Sequence, residues 1–508
     1  MTVWLLGDQL HREAAPLRSA DHVLMIEAHG FADRLPYHPQ KLTLVFSAMR
    51  HARDALREDG YDVTYVEAES FGAGLDRYFE ANPGDALVLQ RPASHAAGER
   101  LRDMVEERGG DCTLVANDGF LTTPADFAEW ADARGGTEGP YRQEHWYRHV
   151  RRETGVLMDG DDPVGGDWNY DDENRETPPE NWSPPGIPEF EPDEITREVH
   201  AFVTERYDAH WGSHDLADFV WPVTRGQALH ALDHFVEVRL PEFGPYQDAM
   251  VEGEWALDHS LLSPAINLGL LGPREVVDAV VDAYHDGDGD TAAPLNSVEG
   301  FVRQVIGWRE FVRHVYRESM PAMGEANQLD QTRDLPEAYW TGETDMVCLS
   351  EAVGHVRDHG YAHHIERLMV LSNFALLYGA DPHELNRWFH LGFVDAFHWV
   401  TTPNVVGMGT FATDALSSKP YASSANYVNE MSDYCSGCPY YHTKTTGEGA
   451  CPFNALYWDF LRENEETLRG TGRMGLMYSH VDGKDDEEWA AIEERAAEVR
   501  EMGADGTL

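Results

Sequence analysis

The sequence predicts two domains, an α/β domain with a doubly wound parallel sheet and a larger, all-helical domain. Three observations predict this architecture. Short apolar runs alternate with amphipathic stretches over residues 1–130, a segment rich in Gly, Pro and acidic residues follows, and helical periodicity then continues to residue 480. With 508 residues, of which 42% are hydrophobic, the chain is long enough to bury more than one core.

The predicted N-terminal domain spans residues 1–130. Its apolar runs are TVWLLG, HVLMIEA, LTLVFSA, VTYVEA, ALVLQ and CTLVAN. Short strands that alternate with helices favour a parallel sheet. Ligands of such sheets lie beyond the carboxyl ends of the strands, so Gly7 and Asp8, which follow the first run, mark a candidate pocket. The sequence contains neither a GxGxxG nor a Walker motif, which argues against a nucleotide-dependent dehydrogenase or an ATPase.

Composition and periodicity predict the remaining boundaries. Residues 131–197 include DGDDPVGGDWNYDDENRETPPENWSPPGIPEFEPDE and are interpreted as an interdomain connector. Residues 198–480 carry apolar side chains at three- and four-residue intervals, as in REVVDAVVDAYHD, which indicates packed helices. Residues 481–508 form an acidic tail whose pattern is typical of a solvated helix.

The charge of the chain is strongly unbalanced. It carries 90 acidic and 39 basic residues, a formal net charge of −51. Such a surface repels itself in dilute buffer, whereas molar salt shortens the Debye length to about 3 Å. Because the acidic residues are spread along the chain, we interpret the charge as a halophilic adaptation and not as a site for a cationic partner. Arginines that line one groove would still permit DNA binding.

The sequence shows no sign of export or of membrane insertion. The N-terminus lacks the basic segment of a signal peptide, and apolar runs of about 18 residues do not occur. We therefore expect a cytoplasmic protein that does not use the membrane, and we expect it to be a monomer.

Four cysteines, Cys348, Cys435, Cys438 and Cys451, form a candidate metal site. Cys435 and Cys438 make a Cys-x2-Cys pair, and Cys451 begins a Cys-Pro in the next loop. Thiolates at this spacing can surround one metal centre, with Cys348 as a ligand from far upstream. The spacing alone leaves open an iron–sulfur cluster, a structural zinc ion and unpaired core cysteines. Cys112 is expected to be a buried bystander.

Motifs along nearly the whole chain carry a family resemblance. They are LLGDQL, FSAMRH, GGDWNYDDENR, HSLLSPAINLGLL, EGFVRQVIGWREF, GYAHHIERLMVLSNF, WFHLGFVDAFHWV with PNVVGMGTFA, and the cysteine pattern. In these motifs the chain resembles the photolyase/cryptochrome family, and within it the bacterial and archaeal iron–sulfur branch of deoxyribodipyrimidine photolyase-related proteins and prokaryotic (6-4) photolyases. The resemblance implies a DNA photolyase in which light-excited reduced FAD passes an electron to UV-damaged DNA.

The resemblance also implies a set of flavin-binding residues: Ser260, Leu262, Ser263, Arg309, Arg367, Asp395, Ala396 and Asn404. The first three match the family's Ser-x-Leu-Ser-Pro loop, whose hydroxyl and amide groups take phosphate or ribitol oxygens. An ordinary helix N-cap before a proline is the alternative there. Arg367 and Asp395 match the charge pair beside the isoalloxazine ring, and an interhelical salt bridge is the alternative for them.

His363 and His364 match the histidine pair that faces the lesion in (6-4) photolyases. Repair of a (6-4) product moves a proton with the electron, and histidine changes its charge near neutral pH. Without the motif, two of 25 histidines are as well explained as surface groups. Gln304 stands where photolyases of cyclobutane dimers carry a glutamate, which favours the (6-4) photoproduct as the substrate.

Trp340 and Trp388 match tryptophans that pass electrons from the surface to the flavin in this branch. Core packing is the alternative for any of the 14 tryptophans. Phe389 stands where some relatives carry a tyrosine, so the path beyond Trp388 is left open.

The resemblance extends to further cofactors. The four cysteines are interpreted as ligands of a [4Fe–4S] cluster with a structural role. The N-terminal domain is expected to bind a 6,7-dimethyl-8-ribityllumazine antenna near Asp8 and the FSAMRH segment, although residues 27–40 differ from those of relatives. Asp171 and Asp172 are candidates for a Mg²⁺ site at the lesion's phosphate, and a solvated acidic loop is the alternative.

The sequence leaves three functions to consider. A photolyase and a cryptochrome-like blue-light receptor would share the flavin pocket. The histidine pair favours repair, because a receptor needs no proton donor at a lesion. An iron–sulfur DNA-binding module that resembles a primase subunit would bind no flavin.

Overall fold

The computed structural model describes residues 1–134, 141–179, 182–285, 287, 292–471 and 474–508. The N-terminal region contains a sheet of parallel strands: β1 (Thr2–Leu5), β2 (His22–Ala28), β3 (Asp62–Ala68), β4 (Ala86–Gln90) and β5 (Asp111–Val115). Within the described residues the strand order is β3-β2-β1-β4-β5, and all neighbours pair in parallel. The order reverses at β1, so the loop after β1, with Asp8, lies at the switch point where ligands of such sheets bind. The predicted doubly wound sheet is confirmed.

One predicted strand is wrong. The run LTLVFSA belongs to a 20-residue helix, Pro39–Glu58. The run resembles a strand because almost every side chain in it is buried, including Leu42, Leu44 and Phe46. The helix packs against the sheet on one side and against the helix Glu194–Arg206 on the other, and burial on both sides removes the polar stripe that marks an amphipathic helix.

The other helices of this half and of the predicted connector are His29–Ala32, Phe71–Ala81, Ala97–Glu106, Pro124–Asp132, Gln143–Thr154 and Glu194–Arg206. The connector also holds a two-stranded antiparallel hairpin, β6 (Met158–Asp159) and β7 (Asp162–Pro163), and a 3-10 turn, Asp171–Glu173. Residues 135–140, 180 and 181 of the predicted connector lie outside the described residues.

The second half is helical, as predicted. Its α-helices are Arg225–His234, Leu240–Tyr246, Ser263–Leu268, Pro273–His285, Leu295–Val302, Glu310–Ser319, Ala338–Thr341, Val347–His359, Asn373–Tyr378, Pro382–Gly392, His398–Thr402, Ala425–Met431, Tyr434–Gly437, Pro452–Glu463, Glu465–Leu468, Gly475–Asp482 and Asp486–Ala504. π-Helical segments occur at Phe235–Arg239, Arg303–Arg309, Glu366–Ser372 and Pro403–Gly409. In the part of the chain that the structure describes, no helix is long and apolar enough to cross a membrane.

The acidic tail is a helix, but it is not solvated all round. Trp489, Ile492 and Val499 recur at helical spacing and are buried against the helix Pro452–Glu463. The acidic side chains of the tail occupy the opposite face. The tail therefore closes the second of two large cores, which also contains Cys348, Cys451 and Trp388.

The first large core joins the two halves of the chain. It contains Val3 and Val23 from one face of the sheet together with Phe301 and Phe311 from the helical half. The loop after β1 adds a backbone bond, because the amide of Leu10 donates to the carbonyl of Leu268 over 2.8 Å. The switch-point loop is thus fixed to the helix that begins at Ser263.

Candidate functional site

The π-helical segments coincide with the predicted site. Arg309 and Gln304 lie on one, Arg367 on a second, and Asn404 on a third. The fourth ends at Arg239, which the sequence motifs did not indicate. A π-segment widens one helical turn and turns the side chains that follow toward a new direction, and such segments are frequent at functional sites.

Arg367 and Asp395 form the centre of the site. The guanidinium donates two parallel bonds of 3.1 Å to the two carboxylate oxygens of Asp395. Its Nε donates to the carbonyl of Ala362, and the Ser263 hydroxyl donates to Asp395 over 2.7 Å. This bidentate geometry fixes both partners and leaves the plane of the guanidinium beside the ring of Phe393, at 4.3 Å.

Other chain segments hold the Asp395 loop from outside. The Asn267 side chain donates to the carbonyl of Asp395 over 3.0 Å. Lys41, from the helix Pro39–Glu58, donates to the carbonyls of Ala396 (2.6 Å) and His390 (2.8 Å). Burial lowers the pKa of Lys41 to about 7, and the charge of Asp395 opposes that shift. The N-terminal domain thus supplies a buried lysine whose amino group fixes the backbone of the predicted flavin loop.

The Ser-x-Leu-Ser-Pro loop precedes the short helix Ser263–Leu268. The Ser260 hydroxyl accepts a 3.4 Å bond from the amide of Leu262, and Leu261 has a positive φ of 56°. A left-handed leucine is strained, and such strain occurs preferentially where a loop is shaped for a ligand. Ser260 and Leu261 border a cleft whose other walls include Pro188, Trp221 and Arg239.

The two remaining predicted flavin residues lie apart from this loop. Asn404 donates to the carbonyl of Val400 over 2.8 Å. The Arg309 guanidinium lies between the rings of Phe120 (4.5 Å) and Trp399 (5.2 Å), and burial lowers its pKa to about 10. Arg309 therefore contacts the N-terminal half of the chain and does not join the Arg367–Asp395 network among the described residues.

His363 lies one helical turn before Arg367 and is fully buried. Its ring stacks on His259 with centroids 4.7 Å apart and planes 11° apart. His364 is exposed, and its Nε2 lies 3.3 Å from a carboxylate oxygen of Asp248. The predicted pair is thus a cluster of three histidines, of which two are buried. His259 directly precedes the flavin loop in the sequence, and that position was the signal that could have revealed it.

Burial keeps the inner histidines neutral. It lowers the pKa of His363 and of His259 well below the usual range, and the neighbouring His364 and Arg367 charges lower both further. Neither ring nitrogen of His363 has a hydrogen-bond partner among the described residues, and neither does Nε2 of His259. Such nitrogens are costly to bury unless a bound group takes up their hydrogen-bonding capacity.

Asp258 and Arg239 are a second buried pair that sequence reasoning missed. Burial raises the pKa of Asp258 to about 7, although the charge of Arg239 opposes the rise. Arg239 donates to the carbonyls of His259 (2.7 Å) and Pro185 (3.1 Å). Both carboxyl oxygens of Asp258 and the Nε of Arg239 have no partner within the described residues.

A buried carboxylate connects the histidines with the cysteine loop. Glu366 accepts hydrogen bonds from Tyr434 (2.8 Å) and pairs with His355 (3.0 Å), and its other oxygen lies 3.6 Å from Nε2 of His363. Burial lowers the pKa of His355, but the charge and hydrogen bond of Glu366 outweigh burial and leave that pKa raised. Tyr434 directly precedes Cys435.

The four cysteine thiols line one cavity. Cys348, Cys435, Cys438 and Cys451 face it together with Tyr434 and Phe453. All four are free thiols, and burial raises the pKa of Cys435 to about 11 and of Cys451 to about 12. Thiols with raised pKa values stay protonated unless a cation compensates for their charge, as a bound metal does. The predicted grouping of distant Cys348 with the other three is thus present in the fold.

A series of aromatic rings begins next to the Arg367–Asp395 pair. Phe393 contacts Arg367 and also packs against Trp388, whose ring is fully buried. Trp388 and Trp340 each contact the ring of Trp211, at 5.8 Å and 6.1 Å. Neither composition nor motif singled out Trp211.

The predicted antenna residues are placed at the sheet. Asp8 follows β1, and burial raises its pKa to about 6. In the FSAMRH segment Phe46 packs inward against His29, and His51 pairs with Asp193. A carboxylate that the sequence did not indicate, Glu27 at the end of β2, accepts two bonds from Arg50 (2.8 and 3.0 Å) and one from His29.

One of the two aspartates predicted for a Mg²⁺ site in the connector already has a charged partner. Asp171 forms an ion pair with Arg303, which also donates to Glu299 over 3.1 Å. A divalent ion at Asp171 would therefore compete with a guanidinium, and this favours the alternative of a loop without metal. Gln304 is half-buried in the π-segment that follows.

Several buried polar atoms near the loop at Ser260 have no hydrogen-bond partner among the described residues. They are Nε of Arg239, both carboxyl oxygens of Asp258, Nε2 of His259 and both ring nitrogens of His363. Such a concentration of unmet hydrogen-bonding capacity fits a large polar cofactor better than an apolar ligand. Ser263, Arg367 and Asp395 supply the polar edge, and Phe393 and Tyr361 supply apolar surface beside Arg367.

Comparisons with known proteins identify relatives of the chain. Residues 3–221 match the family model of the deoxyribodipyrimidine photo-lyase-related protein. The chain is 40% identical over 488 residues to a (6-4) photolyase of Agrobacterium fabrum, an alignment that covers 94% of each protein.

Solved structures share the fold. A bacterial class III photolyase from Agrobacterium tumefaciens superposes with a TM-score of 0.59 at 18% identity, over 95% of this chain and 98% of that one. An archaeal photolyase from Sulfolobus tokodaii, solved with two FAD molecules, superposes with a TM-score of 0.55 at 13% identity, over 98% of this chain and all of that one. At these identities the two structures show the fold alone. The long alignment at 40% identity, joined with the matching family model, shows that the chain belongs to the deoxyribodipyrimidine photo-lyase-related proteins.

Proposed function

We propose that the protein is a light-driven DNA-repair enzyme, a photolyase whose substrate is the (6-4) pyrimidine photoproduct. One observation carries the choice of substrate: the buried, neutral His363 stacks on His259, with His364 exposed beside them and Arg367 one helical turn away. This arrangement puts proton-carrying groups next to the predicted flavin pair. The 40% identical relative bears the name (6-4) photolyase, which supports the same substrate.

FAD is the proposed cofactor, and bound reduced FAD would supply the light-driven electron for the lesion. Ser260, Leu262 and Ser263 would hold its polar chain, and Arg367 with Asp395 would set the charge beside its ring. Lys41, through Ala396, would keep that loop in place. The buried Phe393 and Tyr361 would exclude water from the ring.

The histidines would carry the proton that moves with the electron during repair. His364 is exposed and would face the DNA, whereas His363 and His259 are buried and neutral, so they can accept a proton without first losing one. Glu366, 3.6 Å from His363, would stabilise the protonated form. Gln304 would contact the substrate as a neutral side chain in place of a carboxylate.

We further propose a [4Fe–4S] cluster on the four cysteines. The four thiols come from distant parts of the chain and face one cavity together with Tyr434 and Phe453. Four cysteine thiolates are the ligand set that a [4Fe–4S] cluster takes, and the family resemblance favours this cluster over a single zinc ion with the same ligands.

The proposed function extends to an antenna chromophore, a metal ion and the conditions in which the protein works. Asp8 at the switch point supports a site for an antenna chromophore such as 6,7-dimethyl-8-ribityllumazine. A Mg²⁺ ion at Asp172 would require Asp171 to leave Arg303. The charge of −51 supports a halophilic protein of the cytoplasm, which would bind damaged DNA as a monomer.

The test is a repair assay on oligonucleotides that carry one (6-4) photoproduct, with a cyclobutane dimer in the same sequence as the matched control. Reduced protein is illuminated with blue light over a range of KCl concentrations, because DNA binding weakens with salt while the acidic fold needs salt. Restoration of the (6-4) oligonucleotide alone is expected. Repair of the dimer alone would reassign the substrate, and intact lesions in both would favour the blue-light receptor.

A further inference from the structure

Trp388 has no direct electron-transfer route to the surface in the described structure. Its ring is fully buried, and its Nε1 donates to the carbonyl of Tyr339 over 2.9 Å. The ring of Trp340 is half-exposed, but Trp388 and Trp340 are not in ring contact in the described structure. Phe389 and Phe393, which do contact Trp388, are much harder to oxidise than tryptophan and cannot serve as stations.

Trp211 bridges this gap. Its ring lies 5.8 Å from that of Trp388 and 6.1 Å from that of Trp340, and it is itself partly exposed. Its Nε1 donates to the carbonyl of Trp340 over 2.5 Å. The ring also abuts Gly392, where a Cβ atom would lie 3.3 Å from it. Contacts on several sides thus hold Trp211 in one position.

The electrostatics favour an outward transfer of positive charge. A positive charge is less stable in the apolar interior than near the surface, where water solvates it. A cation on Trp211 or Trp340 is therefore more stable than one on buried Trp388. The carbonyl dipoles that accept from the Trp388 and Trp211 indoles stabilise positive charge on each ring. A hydrophobic packing role alone requires neither contact with both tryptophans nor partial exposure.

We propose that Trp211 is an electron-transfer residue between Trp388 and Trp340, on the route by which the oxidised flavin is reduced in light. Trp388 gives one electron to the excited cofactor, Trp211 gives one electron to the Trp388 cation, and Trp340 gives one to the Trp211 cation. An external thiol then returns one electron to Trp340 and releases its proton to solvent. The inference rests on the proposed function, because it requires bound FAD.

The experiment measures how fast blue light reduces the oxidised flavin of the full-length protein in the presence of excess thiol. The absorbance of the flavin is the readout. The variants are Trp388→Phe, Trp211→Phe and Trp340→Phe, and the half-buried Trp458 supplies the matched control Trp458→Phe. We expect photoreduction to be abolished in Trp388→Phe, slowed about tenfold in Trp211→Phe and slowed less in Trp340→Phe, because Trp211 is itself reachable by thiol. Flavin content is expected to stay at the wild-type value in all four variants, whereas Trp388→Phe, which removes a fully buried indole and its hydrogen bond, should also lower Tm.

The relative size of the photoreduction defects in Trp211→Phe and Trp340→Phe decides between the two routes. A direct transfer from Trp388 to Trp340 predicts the reverse, a severe defect in Trp340→Phe with normal photoreduction in Trp211→Phe, and this result would overturn the inference. If Trp211→Phe loses flavin, Trp211→Leu, which is equally inert to oxidation, replaces it, and wild-type photoreduction in that variant would likewise exclude the route through Trp211. Repair by chemically reduced variants separates this outcome from failure of the proposed function, since reduced protein needs no tryptophan route.

Discussion

The Tyr434 hydroxyl donates a 2.8 Å hydrogen bond to Glu366, and this bond joins the cysteine loop to the helix that carries His363 and Arg367. Tyr434 and Glu366 are both fully buried. A group bound by the four cysteines would therefore fix the position of Glu366, and Glu366 in turn lies 3.6 Å from the histidine proposed to carry the proton. This contact gives a structural cluster a means to support catalysis without taking part in it.

Loss of the Tyr434 hydroxyl should destabilise the fold measurably. A buried hydrogen bond to a charged group contributes about 1.5–3 kcal/mol, so Tyr434→Phe should lower the free energy of unfolding by about that amount. The matched control is Tyr457→Phe, whose hydroxyl donates to the weak sulfur acceptor of Met477 and whose loss should cost less than about 1 kcal/mol. Denaturant unfolding in high salt measures both. Equal losses of unfolding free energy in the two variants would mean that the Tyr434–Glu366 hydrogen bond stabilises the fold no more than the Tyr457–Met477 contact does.

The Arg367–Asp395 pair should be needed for flavin retention. Asp395→Asn removes the charged partner of a bidentate ion pair in which Asp395 is buried and Arg367 is partly exposed, and leaves Arg367 without its counter-charge. We expect purified Asp395→Asn to contain little flavin. Asp248→Asn, beside the exposed His364, is the matched control and should retain it. The flavin-to-protein absorbance ratio decides between them, and full retention in Asp395→Asn would argue for a purely structural salt bridge.

His363 and His364 should differ in what they do. His364→Ala should leave flavin content and Tm unchanged while it reduces repair at least about a hundredfold, because general acid–base groups contribute factors of that size. His363→Ala removes a fully buried ring and should also lower Tm. Repair rates and flavin spectra measured together check this. Loss of flavin in His364→Ala would reassign that residue to cofactor binding.

Sequence predicted the architecture well where one physical signal dominates. The alternation of apolar runs identified β1 to β5, and only the LTLVFSA run failed, because a helix buried on two sides carries the same pattern as a buried strand. The structure brings Arg367 and Asp395 into an ion pair, and the four cysteines that the sequence grouped face one cavity, while the flavin and metal roles of these residues stay predictions.

The missing parts of the site depend on geometry that the sequence does not encode locally. Glu366 and Trp211 acquire their roles from contacts with residues distant along the chain, Tyr434 and Trp388, and no spacing rule connects them. The π-segments depend on a balance between local helix geometry and packing, so composition does not reveal that Arg239 belongs to the site.

Cys435→Ser should remove the metal site, and Cys112→Ser should not. Cys435 faces the shared cavity, whereas Cys112 lies in β5 of the sheet. We expect wild-type protein and Cys112→Ser to contain iron and labile sulfide, and Cys435→Ser to lose both together with stability, since ligand binding is coupled to folding. Zinc without iron in the wild type would contradict the cluster.

The buried Lys41 makes a prediction about pH. Its pKa falls from an ordinary 10.5 to about 7 in the folded protein, so between these values the unfolded chain binds more protons than the folded one. Stability contributed by this residue should therefore rise as pH increases from 7 toward 10.5, by at most about 1.4 kcal/mol per pH unit. Below pH 7 the lysine is charged in both states, and the full cost of its burial is present. The measurement is the difference in free energy of unfolding between wild type and Lys41→Met, which cancels the other titrating groups. That difference should shift in favour of the wild type as the pH rises, and a difference independent of pH would show that Lys41 stays charged on its two carbonyl partners.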